Sequence, residues 1–265
     1  MGGSLARALR RLSSPPRIVA HDTDARTLAR ARDDGVIDAA AGAAEIFSVC
    51  DLVVLATPVR SAVELLRSHA GDLGTGATVT DLGSVKRPIV EAARALGLAD
   101  SFVGGHPVAG DHRGGFEVAR ASLYDGACVW LTPLDGGGEK ADEVGTLWRA
   151  VGARPALIDA EAHDNLMAWV SHLPQITASA LGRVLGGAGI ERSMLGPGGR
   201  DTTRLAASPT ALWTEILLDN ADLLERPMAE LIDTLGALAT ALRERDAKTI
   251  GALLSDAVHW TEKPE

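Results

Sequence analysis

The chain has 265 residues, room for one large domain or two ordinary ones, and its 46% hydrophobic and 23% charged residues are the mix of a globular protein that can build a core. A net charge of −9 argues against general binding to nucleic acid or an anionic membrane, but a single arginine can still hold an anionic substrate. Cys50 and Cys128 stand outside any Cys/His cluster, the N-terminus has no apolar signal core, and no apolar run approaches membrane-span length, so the expectation is a cytoplasmic protein with no metal site and no disulfide framework.

The opening Met1-Gly2-Gly3-Ser4-Leu5-Ala6-Arg7 reads as a helix beginning just past a glycine-rich turn, with no strand before it. Residues 17–22 read as a strand ending at Asp22, and 25–34 as a helix. Residues 51–58 form a continuous apolar run, as in a parallel strand buried on both faces, with a helix over 59–69. A strand over 77–82, a helix over 86–96 and strands at 102–105 and 128–133 follow. After Gly136-Gly137-Gly138 come a helix over 139–151 and a final strand at 154–158. This alternation predicts an α/β domain on a Rossmann-type parallel sheet, residues 1–158. From 159 to 265 the pattern is all-α, with one long helical stretch over 163–185, a loop at 196–199 and helical apolar spacing from Leu212 to Val258.

Glycines between a strand and a helix let the backbone approach a dinucleotide pyrophosphate, and an acid about 20 residues on binds the ribose hydroxyls. Gly2 and Gly3 supply the last glycines of such a fingerprint, and Asp22 falls at the acid's spacing, where it would favour NAD over NADP. Spacing alone leaves open that the glycines are a floppy start and Asp22 a turn acid. The missing first strand would lie in the middle of the sheet, so the expectation is that the natural protein begins upstream and that Met1 is internal to a longer fingerprint.

Three further stretches carry chemistry. Ser84 follows the strand at 77–82, where ligands bind in open α/β sheets, and reads either as a ligand contact or as a helix N-cap. His106 stands at a strand end beside Gly104 and Gly105, ahead of Asp111-His112-Arg113-Gly114-Gly115, and reads as a general base or as an incidental loop histidine. On the long helix, His163 and His172 fall on opposite faces if the helix is straight, and so cannot share a metal; His172 and Gln175 share a face, and Pro174 kinks the helix there.

Together with Asp201-Thr202-Thr203-Arg204-Leu205-Ala206 and Trp213, these motifs give a chain that resembles the prephenate/arogenate dehydrogenase family of tyrosine biosynthesis over essentially its whole length. The resemblance rests on GGSLARAL at 2–9, HD at 21–22, DLVVLATPV at 51–59, DLGSVK at 81–86, GGHPVAG at 104–110, HD at 163–164, SHLP at 171–174 and DTTRLAAS to LW at 201–213. It implies NAD-dependent oxidative decarboxylation of prephenate to 4-hydroxyphenylpyruvate and a homodimer formed through the C-terminal helices, with no nucleic acid or membrane partner. It implies His106 as the base toward the C4 hydroxyl, Ser84 as the group that orients that hydroxyl, His106 or the nicotinamide, and Arg204 as the carboxylate ligand. His172, Gln175 and Trp213 would line the substrate pocket, while Gly2, Gly3, Asp22, Thr57 and Pro58 would hold NAD. Many members have a histidine where Gln175 stands. A neutral amide there suits the ammonium of arogenate, so arogenate dehydrogenase is an alternative, as are a 4-amino-4-deoxyprephenate dehydrogenase and a truncated non-catalytic paralogue.

Overall fold

The computed structural model describes residues 1–110, 114–134 and 138–262. Of the sequence features above, Asp111-His112-Arg113 and Gly136-Gly137 lie outside the described residues.

The chain opens with α1 (Gly2–Leu9), β1 (Val19–Ala20), α2 (Ala25–Asp33), β2 (Ala39–Ala40) and α3 (Ala43–Val49). It continues with β3 (Leu52–Leu55), α4 (Val59–His69), β4 (Thr78–Asp81), α5 (Arg87–Ala95) and β5 (Phe102–Pro107). β6 (Cys128–Pro133), α6 (Glu139–Ala150) and β7 (Arg154–Leu157) complete the sheet region. The short strands β1 and β2 pair in parallel with each other, and β3 to β7 form a second sheet in sequence order. Apolar strands flanked by helices on both faces bury two clusters. One gathers Phe47, Leu66, Val79, Ile89 and Phe102; the other gathers Leu5, Val103, Tyr124, Leu131 and Trp148.

The Rossmann-type architecture holds, with one departure from an all-parallel sheet: β6 runs antiparallel to β5. Among its described residues the connection between them carries only a 3₁₀ turn at Ala121–Tyr124 rather than the helical crossover that usually joins parallel neighbours. The other pairs, β3–β4, β4–β5 and β6–β7, are parallel, so β3, β4 and β5 all end at one edge of the sheet. That edge carries the candidate site.

The helical region begins with α7 (Ala160–Met167) and α8 (Leu173–Gly187), joined by a π-helical turn, Ala168–His172. Pro174 sits in the first turn of α8, where its missing N–H is tolerated, and the wide turn just before it absorbs the break that the sequence placed there. The glycine-rich stretch expected as a loop is instead a short helix, α9 (Pro197–Thr202), started by proline, which presets helical φ. Then come α10 (Thr210–Asp219), α11 (Ala221–Glu244) and α12 (Ala247–Thr261). Arg87, at the start of α5, ties the two regions together: its guanidinium donates to Asp222 at 2.6 and 2.7 Å and to Asn220 at 3.0 Å. That contact holds the Asp222 carboxyl down to about 2.

Candidate active site

At the end of β4, Asp81 is wholly buried and joins the strand ends: its Oδ1 accepts from the Gly105 amide at 3.0 Å, and its Oδ2 accepts from the Gly83 amide and from Lys86 Nζ. Lys86 is buried too, and donates a second bond to the Gly105 carbonyl at 2.8 Å. Burial lowers its pKa, against the pull of Asp81. The glycines before His106 are needed here: a Cβ on Gly104 would lie 2.1 Å from Thr132 Oγ1, and one on Gly105 would lie 2.5 Å from the Asp81 carbonyl. Only glycine lets β5 approach β4 and β6 closely enough to seat His106 at this edge.

His106 is half-buried. Its Nδ1 lies 2.8 Å from Nε2 of the fully buried His163, whose Nδ1 lies 2.7 Å from Asp164 Oδ1. Burial, reinforced by His163, Lys86 and His172, holds the His106 pKa well below the usual histidine range, so the resting imidazole is neutral and able to accept a proton. Asp164 also caps α5 from the helical region, accepting from the amides of Lys86 at 2.7 Å and Arg87 at 2.9 Å. The N-cap position of α5 is Lys86, so the reading of Ser84 as its N-cap is corrected: Ser84 lies in the loop between Asp81 and Lys86, half-buried, and makes no side-chain hydrogen bond among the described residues.

His172 is buried at the end of the π turn. Its Nδ1 faces Asn220 Nδ2 at 3.1 Å, and Trp213 stands edge-on at 6.0 Å between ring centroids. Asn220 accepts from Arg87 through Oδ1 and donates to the Asp164 carbonyl through Nδ2, which fixes its orientation. It therefore donates to His172 Nδ1 and leaves the imidazole proton on Nε2. Burial pushes the His172 pKa down to about 4. The π turn Ala168–His172 interrupts the straight helix on which the sequence expectation set His163 and His172 on opposite faces. Both imidazoles are buried, the charge of His163 reaches His172, and Asn220 links His172 to the backbone of Asp164.

Gln175 is nearly fully buried. Its amide donates to the Leu205 carbonyl at 2.8 Å and to Ser179 at 3.2 Å, and accepts from Ser208 at 3.2 Å. It thus anchors the 3₁₀ turn Arg204–Ala207. Arg204 opens that turn, exposed and with no hydrogen bond or ion pair among the described residues, which suits a guanidinium meant for an incoming carboxylate.

On the nucleotide side, α1 starts against the loop after β3. A Cβ on Gly2 would lie 2.8 Å from Ala56 Cβ, and one on Gly3 would lie 2.8 Å from Phe116 Cδ2. As the first residues of the helix, Gly2 and Gly3 have no intrahelical acceptor for their amides, and Thr57 and Pro58 follow Ala56 on the exposed loop. A close glycine cradle at a helix start, with free amides, fits a dinucleotide pyrophosphate. Asp22 is exposed just beyond β1, with Oδ1 accepting from the Asp24 amide at 2.8 Å, so it closes a turn while its other oxygen stays open.

The residues that sequence reasoning left without a role are Asp81, Lys86, His163, Asp164 and Asn220. Their signal was present in part, in the acid and the lysine five apart in DLGSVK and in the adjacent His-Asp pair at 163–164.

The family model for the nucleotide-binding domain of prephenate dehydrogenase matches residues 5–157, and that for its dimerisation domain matches residues 159–256. Prephenate dehydrogenase of Lactococcus lactis is 31% identical over 258 residues, covering 94% of this chain and 71% of that protein. The crystal structure of prephenate dehydrogenase from A. aeolicus in complex with hydroxyphenyl propionate and NAD+ superposes with a TM-score of 0.88 at 32% identity, covering 99% of this chain and 94% of that one. That of Synechocystis arogenate dehydrogenase gives 0.81 at 26% identity, with 98% and 95% covered. The glycine-cradled helix start, the strand-end histidine and the exposed arginine of the helical region thus stand in a chain that belongs to the prephenate dehydrogenase family.

Proposed function

We propose that the protein catalyses NAD-dependent oxidative decarboxylation of prephenate to 4-hydroxyphenylpyruvate. The observation that carries this reading is His106: neutral at rest, placed at the C-terminal edge of the sheet, and tied through Nδ1 so that Nε2 is left for the substrate. Gly2 and Gly3 would receive the pyrophosphate on their amides, Asp22 the ribose hydroxyls, and Thr57 and Pro58 would flank the nucleotide. When bound, NAD supplies the carbon that accepts the hydride from C4 of the substrate. His106 Nε2 takes the C4 hydroxyl proton as that hydride departs, leaving a C4 carbonyl. The bond to the ring carboxylate then breaks, carbon dioxide leaves, the bonding pair completes the aromatic ring, and the C4 oxygen, left as a phenolate, takes the proton back from His106 Nε2. Ser84, with a hydroxyl uncommitted among the described residues, orients the substrate hydroxyl; Arg204 holds a carboxylate, and Trp213 and the Nε2–H of His172 complete the pocket.

In this reading residues 1–158 bind the nucleotide and 159–265 bind substrate and dimerise, in the cytoplasm. Among the described residues no helix is long and apolar enough to cross a membrane. A homodimer through the C-terminal helices would cover Ile232, Leu235, Leu254, Val258 and Trp260, which are exposed in the single chain. Arogenate is the second reading, favoured by the likeness to the Synechocystis enzyme. Gln175 acts chiefly through the Arg204 turn, because its amide is already engaged on both sides. The test is NADH formation by the purified chain with NAD, given prephenate and arogenate in parallel. Faster turnover of prephenate is expected, and no turnover of either would overturn the reading.

A further inference from the structure

A neutral imidazole offers one basic nitrogen, and the hydrogen bond at the other decides which it is. We propose that His163 is a positioning residue that locks His106 in the tautomer protonated at Nδ1, with Asp164 setting the tautomer of His163 in turn. The order of donors follows from Asp164. Its carboxylate is wholly buried and accepts from the Lys86 amide, the Arg87 amide and the Arg87 guanidinium, so it accepts from His163 Nδ1 as well. His163 Nε2 is then a lone pair. At 2.8 Å it must receive a proton from His106 Nδ1, and His106 keeps its lone pair on Nε2.

The rings meet edge to face, 75° apart with centroids at 5.0 Å, an arrangement that buried packing holds in place. The other groups whose charge reaches His106 are Lys86, paired with Asp81, and His172, which accepts from Asn220; neither is hydrogen-bonded to its ring. When the substrate hydroxyl bond breaks, its oxygen keeps the electron pair and the proton forms a new bond to Nε2. The Nδ1–H bond to His163 then becomes charge-assisted and is backed by the Asp164 carboxylate. The role of His106 as base rests on the function proposed above; the tautomer does not.

The test is ¹⁵N-histidine NMR of the full chain, with kcat and KM for prephenate measured in parallel, on the wild type, His163→Gln, His163→Leu and Asp164→Asn. Wild-type His106 should show a protonated Nδ1 and a bare Nε2. In H163Q the amide oxygen replaces Nε2 as acceptor, and both the tautomer and kcat, within about tenfold, should survive. H163L should lose the tautomer and about 10²-fold in kcat, with KM little changed. In D164N the amide donates to His163 and reverses the chain of bonds, moving the proton of His106 to Nε2. D164N also removes the cap of α5, so H163Q and H163L, which keep it, carry the comparison if D164N does not fold. A wild-type His106 protonated at Nε2, or an H163L that keeps both tautomer and kcat, would overturn the proposal. If the wild type turns over neither prephenate nor arogenate, the functional reading fails while the NMR signature still decides the tautomer.

Discussion

Around His106, Asp81 and Lys86 from the sheet region and His163 and Asp164 from α7 are buried, and each is held by at least two hydrogen bonds. At the other end of the site, Arg204 is exposed and unpaired among the described residues, though the turn that carries it is anchored from below by Gln175. The contrast separates two tasks. A base must have one fixed orientation and protonation state before substrate arrives, so its surroundings are complete without ligand. A carboxylate ligand must keep its donors free, so its support lies in the backbone beneath it. Removing a group around His106 should therefore damage rate or folding, and removing the Arg204 cation should damage binding.

The largest effect should come from His106→Asn: turnover should fall by about 10²–10⁴-fold with the melting temperature nearly unchanged, and steady-state kinetics with a thermal melt would separate the two. Lys86→Met comes next. It leaves Asp81 buried without its cation, at a cost of about 3–5 kcal/mol, and should lower the melting temperature by roughly 10 °C or more in calorimetry. Arg204→Gln should raise the substrate KM by about 10–100-fold while leaving kcat and the melt close to wild type; a fall in kcat alone would move Arg204 out of the binding role.

The smallest effect is in pH dependence. His172 has its folded pKa depressed to about 4 by burial, so the unfolded chain binds its proton first. The stability this neutral imidazole contributes is present above about pH 6.5 and lost as pH falls toward 4, by about 1 kcal/mol at pH 5.5. His106 acts with the same sign. Denaturant unfolding between pH 7 and 5 should show the slope, and His172→Asn should reduce it.

Much of this site was legible before folding, but unevenly. Gly104-Gly105-His106 announced an approachable histidine, because backbone sterics leave few other reasons for paired glycines at a strand end. Arg204 could be found only through its motif, since a lone surface arginine carries no local signal. Gln175 was read as a substrate contact, and its engagement with Leu205 and Ser208 could not be foreseen, because those partners lie 30 and 33 residues away. Lys86 read as the start of a helix; only the strand packing shows it sealed against Asp81 and Gly105.

The sequence by itself determined the alternation of strands and helices, the change to an all-helical second half, and the placing of glycine where the chain must run close to itself. These follow from periodicity and backbone sterics, which act over a few residues. Only the tertiary structure decided that β6 reverses direction, that a π turn separates α7 from α8, and that His106 meets a histidine 57 residues further along the chain. The basic nitrogen at the site depends on that meeting, because a tautomer is set by the partner across the hydrogen bond and not by the residue's neighbours in the chain.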